Sequence, residues 1–171
     1  YFFKVASDGT PQSGWAFGGS SADGAWDMVQ ATNGDFVLAG YTSSFGSGSY
    51  DFYVKRVDQN MNNVWSKSFG YSQTEVAYAI CETSDLGFAV VGKTSSFGTA
   101  NDFWIIKIDA LGDLQWGHRI SSSHNEVALA VMEGSDSYIY VTGYIYELGM
   151  GGKEVIIIKC APDGTNCLVS K

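Results

Sequence analysis

Val76-Ala-Tyr-Ala-Ile-Cys-Glu-Thr-Ser-Asp-Leu-Gly-Phe-Ala-Val-Val-Gly92 reads as two short strands around a turn, and it occurs three times. The first copy is Gly24-Ala-Trp-Asp-Met-Val-Gln-Ala-Thr-Asn-Gly-Asp-Phe-Val-Leu-Ala-Gly40, the third Val127-Ala-Leu-Ala-Val-Met-Glu-Gly-Ser-Asp-Ser-Tyr-Ile-Tyr-Val-Thr-Gly143. Gly40, Gly92 and Gly143 recur at intervals of 52 and 51 residues, and Trp15, Trp65 and Trp116 at 50 and 51. Leu168 closes the series 52 residues later. A period of this length marks a duplicated structural unit that stacks on its neighbours.

Within each copy Trp26, Tyr78 and Leu129 share a column, as do Met28, Ile80 and Val131. Alternation along a strand places these on one face. The small set Ala25/Ala77/Ala128 and Asp27/Ala79/Ala130 is then expected on the other. Two apolar or small faces suit a sheet packed between two others. A second hairpin follows: Asp51–Val57, Asp102–Ile108 and Glu154–Cys160, each with a polar turn and a return strand carrying Trp65, Trp116 or Leu168. Phe2–Val5, the turn at Asp8-Gly9 and Trp15 form a fourth copy of this second hairpin, with Tyr1 in the column of Tyr53 and Trp104. Numbering the strands of the unit one to four, the chain reads 3-4 and then 1-2-3-4 three times.

The expected fold is therefore all-β: a propeller-like array of four-stranded antiparallel blades, about three and a half repeats in one domain over 1–171. The half-blade covers 1–19, and the repeats cover 20–71, 72–122 and 123–171. Composition agrees. Charged residues make up 16% of the chain, below the usual quarter or so, with 21 glycines and 15% aromatics. No apolar period of 3.6 survives ten residues.

Net charge is −8, which opposes a phosphate backbone, so no nucleic-acid partner is expected. No apolar run reaches the ~20 residues of a membrane-spanning helix. The chain starts at Tyr1 without a leader pattern, as a processed product or a fragment would. Of three cysteines, Cys160 and Cys167 flank the turn Ala161–Asn166. A hairpin there brings them within reach of a disulfide, which would belong to an oxidising compartment. The alternative is two apolar fillers, Cys160 taking the slot of Val57 and Ile108. Cys81, in the column of Val29 and Met132, reads as a buried hydrophobe.

Other candidates are few. His118 and His124 are the only histidines, and their columns do not demand one. Asp51, Asp102 and Glu154 recur at the start of the third strand, either as strand-start hydrogen-bond acceptors or as acids gathered about an axis. Phe45 and Phe97 lie in the polar loops Thr42–Gly46 and Thr94–Gly98, either as plugs beside their own blade or as contacts for a ligand or neighbouring subunit. The sequence has no phosphate loop, nucleophile elbow or zinc spacing. No catalytic residue, cofactor or metal ligand is assigned.

The sequence resembles the secreted or surface β-propeller repeat proteins of prokaryotes and protists. Their G-x-T-S-S-F-G turn is matched by Gly40–Gly46 and Gly92–Gly98, while Gly143–Gly149 keeps only the glycines. Their D-x-x-x-x-K strand is matched by Asp102–Lys107, and their D-x-x-G-x-x-x-W hairpin by Asp109–Trp116. That hairpin also looks like the tryptophan-docking element of quinoprotein propellers, which is structural there. The resemblance covers nearly the whole chain and implies architecture rather than activity. A closed propeller takes about four to eight blades, so three and a half leave two end faces to be covered. The reading is a non-catalytic extracellular or cell-surface module, structural or adhesive. It self-associates or belongs to a longer surface or filament chain. The alternatives are a carbohydrate- or protein-binding propeller and, on fold analogy alone, a glycosidase or lyase.

Overall fold

The computed structural model describes residues 2–98, 100–122, 124–147 and 152–170. Tyr1, and Leu148 and Gly149 at the end of the third repeat's loop, lie outside them. The described chain is all β. β1 (Phe2–Val5) and β2 (Pro11–Trp15) form a two-stranded sheet. Three four-stranded antiparallel sheets follow in chain order. The first holds β3 (Asp23–Gln30), β4 (Phe36–Thr42), β5 (Asp51–Val57) and β6 (Asn63–Phe69). The second holds β7 (Glu75–Glu82), β8 (Phe88–Thr94), β9 (Asp102–Ile108) and β10 (Leu114–Ile120). The third holds β11 (Glu126–Glu133), β12 (Ile139–Glu147), β13 (Gly152–Cys160) and β14 (Cys167–Ser170). The order 3-4 and then three sets of 1-2-3-4 is the one expected from the repeat. No sheet closes on itself.

The sheets pack face to face. Val37, Ala39, Phe52 and Val54 of the first meet Ala77, Ile80, Phe88, Val90, Trp104 and Ile106 of the second in one buried cluster. Ala79, Ala89, Val91, Phe103 and Ile105 of the second meet Ala128, Ile139, Val141, Ile156 and Ile158 of the third. The middle sheet is thus buried on both sides, and every residue of β9 is buried, the apolar run Phe103–Ile106 as expected for a sheet covered on both faces and the flanking Asp102 and Lys107 with ion-pair partners.

One expectation about faces is corrected. Ala77 and Ile80 share one face of β7, while Ala79 and Cys81 share the other. Simple alternation fails because each first strand carries a β-bulge at the same place: the register shifts between Ala25 and Asp27, Ala77 and Ala79, and Ala128 and Ala130. Trp26, Tyr78 and Leu129 are the extra residues, and an inserted residue inverts the facing of all that follow. The Trp26 and Tyr78 rings lie 6.0 Å apart. The bulge also explains the periodic glycine. Gly40, Gly92 and Gly143 each lie opposite the bulge, where an added Cβ would fall 1.9 Å from the carbonyl oxygen of Gly24, Val76 or Val127.

The tryptophan column rivets each sheet to the next. Trp65 Nε1 donates to Ala110 O at 3.2 Å and Trp116 Nε1 to Pro162 O at 2.9 Å, both in the third-to-fourth-strand turn of the following sheet. Gly112 and Gly164, both with positive φ, lie over the Trp65 and Trp116 rings. Lys67 adds an ion pair to Asp113, and the His118 ring nitrogen meets Gly164 O. Within each sheet a second rivet repeats: Arg56–Asp35, Lys107–Asp85 and Lys159–Asp136, each at 2.9 Å. The hydrogen bond from Lys159 holds the Asp136 carboxyl down to about 2.

Cys160 and Cys167 form a disulfide between paired positions of β13 and β14. It occupies the cross-strand site of Val57–Asn63 and Ile108–Leu114, in the one full sheet whose fourth strand carries Leu168 instead of a tryptophan. The Cys81 thiol is pushed up to about 11 by burial, which suppresses thiolate attack on that bond. Reducing it opens a loop of sequence separation 7 and is expected to cost about 2.5 kcal/mol by the loop-entropy relation. Urea denaturation with and without reductant measures this; a difference under about 0.5 kcal/mol would refute a stabilising role.

Candidate interaction surfaces

The Thr-Ser-Ser-Phe-Gly loops are built around a carboxylate. Thr42 and Ser44 hydroxyls donate to the Asp23 carboxylate. One repeat later, Thr94 and Ser96 donate to Glu75 Oε1 at 2.7 and 2.6 Å, while Tyr71 N donates to Oε2 at 2.8 Å. Glu75 is fully buried. Its hydroxyl partners make that tolerable, since a buried charge needs hydrogen bonds. Sequence reading missed this pairing. Its trace was the acid Asp23/Glu75/Glu126 recurring 19 residues before each loop's first residue.

In the third copy the threonine hydroxyl is gone: Ile145 stands for Thr42 and Thr94. Glu126 is 1% exposed, and among the described residues neither of its carboxylate oxygens accepts a hydrogen bond of ordinary geometry, Ser122 being the nearby donor that only partly offsets its burial. Burial pushes its carboxyl above the usual range, more than neighbouring Ser122 pulls it down, and Asp102 adds to the rise. Replacing Glu126 with Gln is expected to raise stability by about 1 kcal/mol at pH 7. The sign follows from linkage. A carboxyl whose folded pKa lies above its unfolded one loses stability as pH rises through that window. The gain from Glu126→Gln is therefore largest at neutral pH, fades as pH falls through the raised folded value toward 4.5, the ordinary value, and is absent below it. Thermal melts of both proteins from pH 4 to 7 test it; an advantage independent of pH would contradict the origin assigned.

The strand-start acids Asp51 and Asp102 are buried, the first held by loop groups and the second by a strand residue. Asp51 Oδ2 accepts from the backbone of Ser47 and Gly48, and its Oδ1 has no partner among the described residues. Burial raises its pKa against those two hydrogen bonds, with Glu75 adding to the rise. Asp102 pairs with Arg119 at 3.0 Å. These acids sit at the seams between sheets rather than in an open cleft. Among the described residues no group of three or more His, Cys, Asp or Glu is placed to hold a metal ion. His118 docks on the next sheet and His124 lies in a loop, both half-buried.

Phe45 and Phe97 each pack against neighbouring side chains and remain partly exposed. Phe45 stacks on Tyr53 at 5.8 Å and stays 46% exposed. Phe97 meets Tyr71 edge-on at 4.6 Å, lies 4.8 Å below the Arg119 guanidinium, and stays 43% exposed. One side of each ring is used within the fold and the other faces outward.

The larger surfaces are the two ends of the stack. At the far end Leu129, Met132, Val155, Ile157 and Leu168 are exposed on the outer side of the third full sheet. At the near end β1–β2 covers only the outer part of the first full sheet, where Phe2, Trp15 and Phe17 pack with Phe36, Leu38, Val57 and Met61. Trp26 and Met28 remain exposed. Beside them lies a groove of about 470 Å³ lined by Phe17, Phe45, Tyr53, Lys55, Asn63 and Ser66. Lys55 is buried there, where the following sheets have Ile106 and Ile158. Its ammonium donates to Asn63 and Ser66 and lies 5.1 Å from the Phe17 ring, and burial lowers its pKa.

No helix among the described residues is long and apolar enough to cross a membrane. The sequence matches no family model, and no curated protein is significantly similar to it.

Proposed function

We propose that the chain is a non-catalytic β-propeller-like module, structural or adhesive, of the secreted or cell-surface kind. Its sheets act as blades, and it self-associates or forms part of a larger surface or filament protein. The observation that carries this reading is the contrast between seams and ends. The columns buried at the two inner seams, such as those of Ile80, Phe103 and Ile105, reappear uncovered at the ends as Met28, Val155 and Ile157. Apolar faces of this kind mark interaction sites. The Cys160–Cys167 disulfide is consistent with an oxidising location.

Light scattering across a wide concentration range tests the self-associating form. Growth of mass with concentration is expected, and Val155→Asp with Ile157→Asp should reduce it. A monomer at all concentrations would sink self-association.

The outward sides of Phe45 and Phe97 favour one second reading, a carbohydrate- or protein-binding propeller that uses its Thr-Ser-Ser-Phe-Gly loops. Aromatic rings held from behind present a rigid apolar platform. Glycan-array binding lost in the Phe45→Ala, Phe97→Ala double variant would support it, and no binding across a broad array would count against its glycan form.

A further inference from the structure

We infer that the groove between the link 16–18 and β5–β6 is a binding site for a carboxylate-bearing saccharide, with Lys55 as the group that reads its charge. The inference deepens the loop-binding reading above, since Phe45 walls the same groove, and it rests on that reading for its ligand class.

The segment over the groove is shortened inside the chain. Phe17, Phe69 and Ile120 share a column, each six residues ahead of the acid Asp23, Glu75 or Glu126. Phe69 follows Trp65 by four residues, as Ile120 follows Trp116, but Phe17 follows Trp15 by only two. At the inner seam Trp65 and Phe69 pack on the cluster that contains Ile106. The shorter span from Trp15 to Phe17 leaves the groove of about 470 Å³ between Ala16, Phe17 and Gly18 on one side and Tyr53, Lys55 and Ser66 on the other.

The floor is polar to match. Where the second full sheet has Ile106, Gly117 and Leu114, the first has Lys55, Ser66 and Asn63 at the same paired positions. Lys55 is 8% exposed. Its ammonium donates to Asn63 Oδ1 and Ser66 Oγ. An ammonium carries three N–H groups, so one has no oxygen acceptor among the described residues. The Ser66 hydroxyl also donates to Asn63 Oδ1, which leaves the Asn63 amide N–H groups for another acceptor. Asp23 lines the adjoining hollow, but its carboxylate is taken up by Thr42, Ser44 and Gly19 N. No charged neighbour offsets the burial of Lys55, which lowers its pKa. A buried cation without a counter-charge is costly. The spare donors here all call for an anionic, oxygen-rich ligand.

Donors alone would suit any carboxylate, and the walls narrow the class. Phe45 and Tyr53 stack with 22° between their planes, and Phe17 lies 5.1 Å from the Lys55 ammonium. Aromatic faces beside a few fixed polar groups suit a ring with an apolar face and a polar rim. A uronic acid unit joins such a ring to a carboxylate.

The test titrates digalacturonic acid and its dimethyl ester into the intact chain by isothermal titration calorimetry. The two probes share rings and hydroxyls and differ in charge. Saturable one-to-one binding of the acid is expected, at least tenfold tighter than that of the ester. In the unmodified chain, added salt should weaken binding of the acid and spare the ester. Lys55→Met keeps the apolar stem and removes the ammonium. It should abolish the preference for the acid without lowering the melting temperature, because Ile106 and Ile158 occupy the same column. Phe45→Ala should weaken acid and ester alike, and Phe97→Ala should change neither. No saturable binding of the acid overturns the site, as does a preference for the acid that survives Lys55→Met. An acetylated, amidated glutamate that binds as tightly as digalacturonic acid overturns the saccharide class in favour of an acidic peptide. Glycan-array binding lost in the Phe45→Ala, Phe97→Ala double variant but indifferent to Lys55→Met keeps the loop reading and overturns this site. The converse keeps the charge site and overturns the loop reading.

Discussion

Gly92→Ala is expected to destabilise the chain by about 4 kcal/mol, a large share of the roughly 5–15 kcal/mol that holds a domain folded. The added methyl would sit 1.9 Å from Val76 O and 2.9 Å from Ala77 Cα. Both obstacles are backbone, so no rotamer change relieves the clash. β8 must separate from β7 at the bulge, breaking the ladder in the one sheet that is buried on both faces. Overpacking in a core usually costs 1–3 kcal/mol, and the loss of adjacent strand pairing adds to that. Gly98→Ala is the control, since nothing lies within 4 Å of its added methyl; a change within about 0.5 kcal/mol is expected there. Urea denaturation followed by circular dichroism measures both. A loss for Gly92→Ala under about 1 kcal/mol would mean that the bulge can relax and does not explain the glycine period.

Phe52→Ala is expected to cost about 4 kcal/mol, within the range for a fully buried aromatic. Phe52 is unexposed and lies on β5 between the first and second full sheets, its ring 4.4 Å from that of Trp104. The cavity would open at a seam rather than inside one sheet, so the variant should also weaken the coupling between repeats. In a stacked array, stability is a sum of unit and interface terms. Trp104 fluorescence should therefore change at lower urea than circular dichroism does. Leu111→Ala, at a turn residue 69% exposed, should change little. Coincident transitions with a loss below about 1 kcal/mol would contradict the seam role.

Much of this architecture was legible because the repeat fixes relative positions without reference to three dimensions. The repeat aligns Phe52 with Phe103 and Phe88 with Ile139, all four buried in the fold, and the turn Ala161–Asn166 placed Cys160 opposite Cys167. What escaped sequence reading involved shifts in backbone register or contacts between distant segments. Alternation gave the wrong partners for Ala77 and Ala79 because a bulge leaves no distinctive residue of its own; its sign was the glycine on the neighbouring strand. The Thr-Ser-Ser hydroxyls looked like loop polarity until Thr94 and Ser96 were found on Glu75, 19 and 21 residues earlier in sequence.

The candidate surfaces divide in the same way. Phe45 and Phe97 could be named from the sequence, since an aromatic in a polar loop stands out. Which side of each ring is free depended on Tyr53, Tyr71 and Arg119, which come from other strands. Lys55 shows the limit from the other direction. In sequence it is an ordinary lysine in a strand; only packing places its ammonium in a groove, in the column of Ile106 and Ile158.

By itself, then, the sequence determined the strand count, their order, the four-stranded unit and the disulfide candidates, because period and alternation are properties of the chain. The tertiary structure decided which faces are buried, why the glycines recur and which ends stay open. Those depend on a bulge that inverts facing and on whether a neighbouring sheet is present, and neither can be read along one strand.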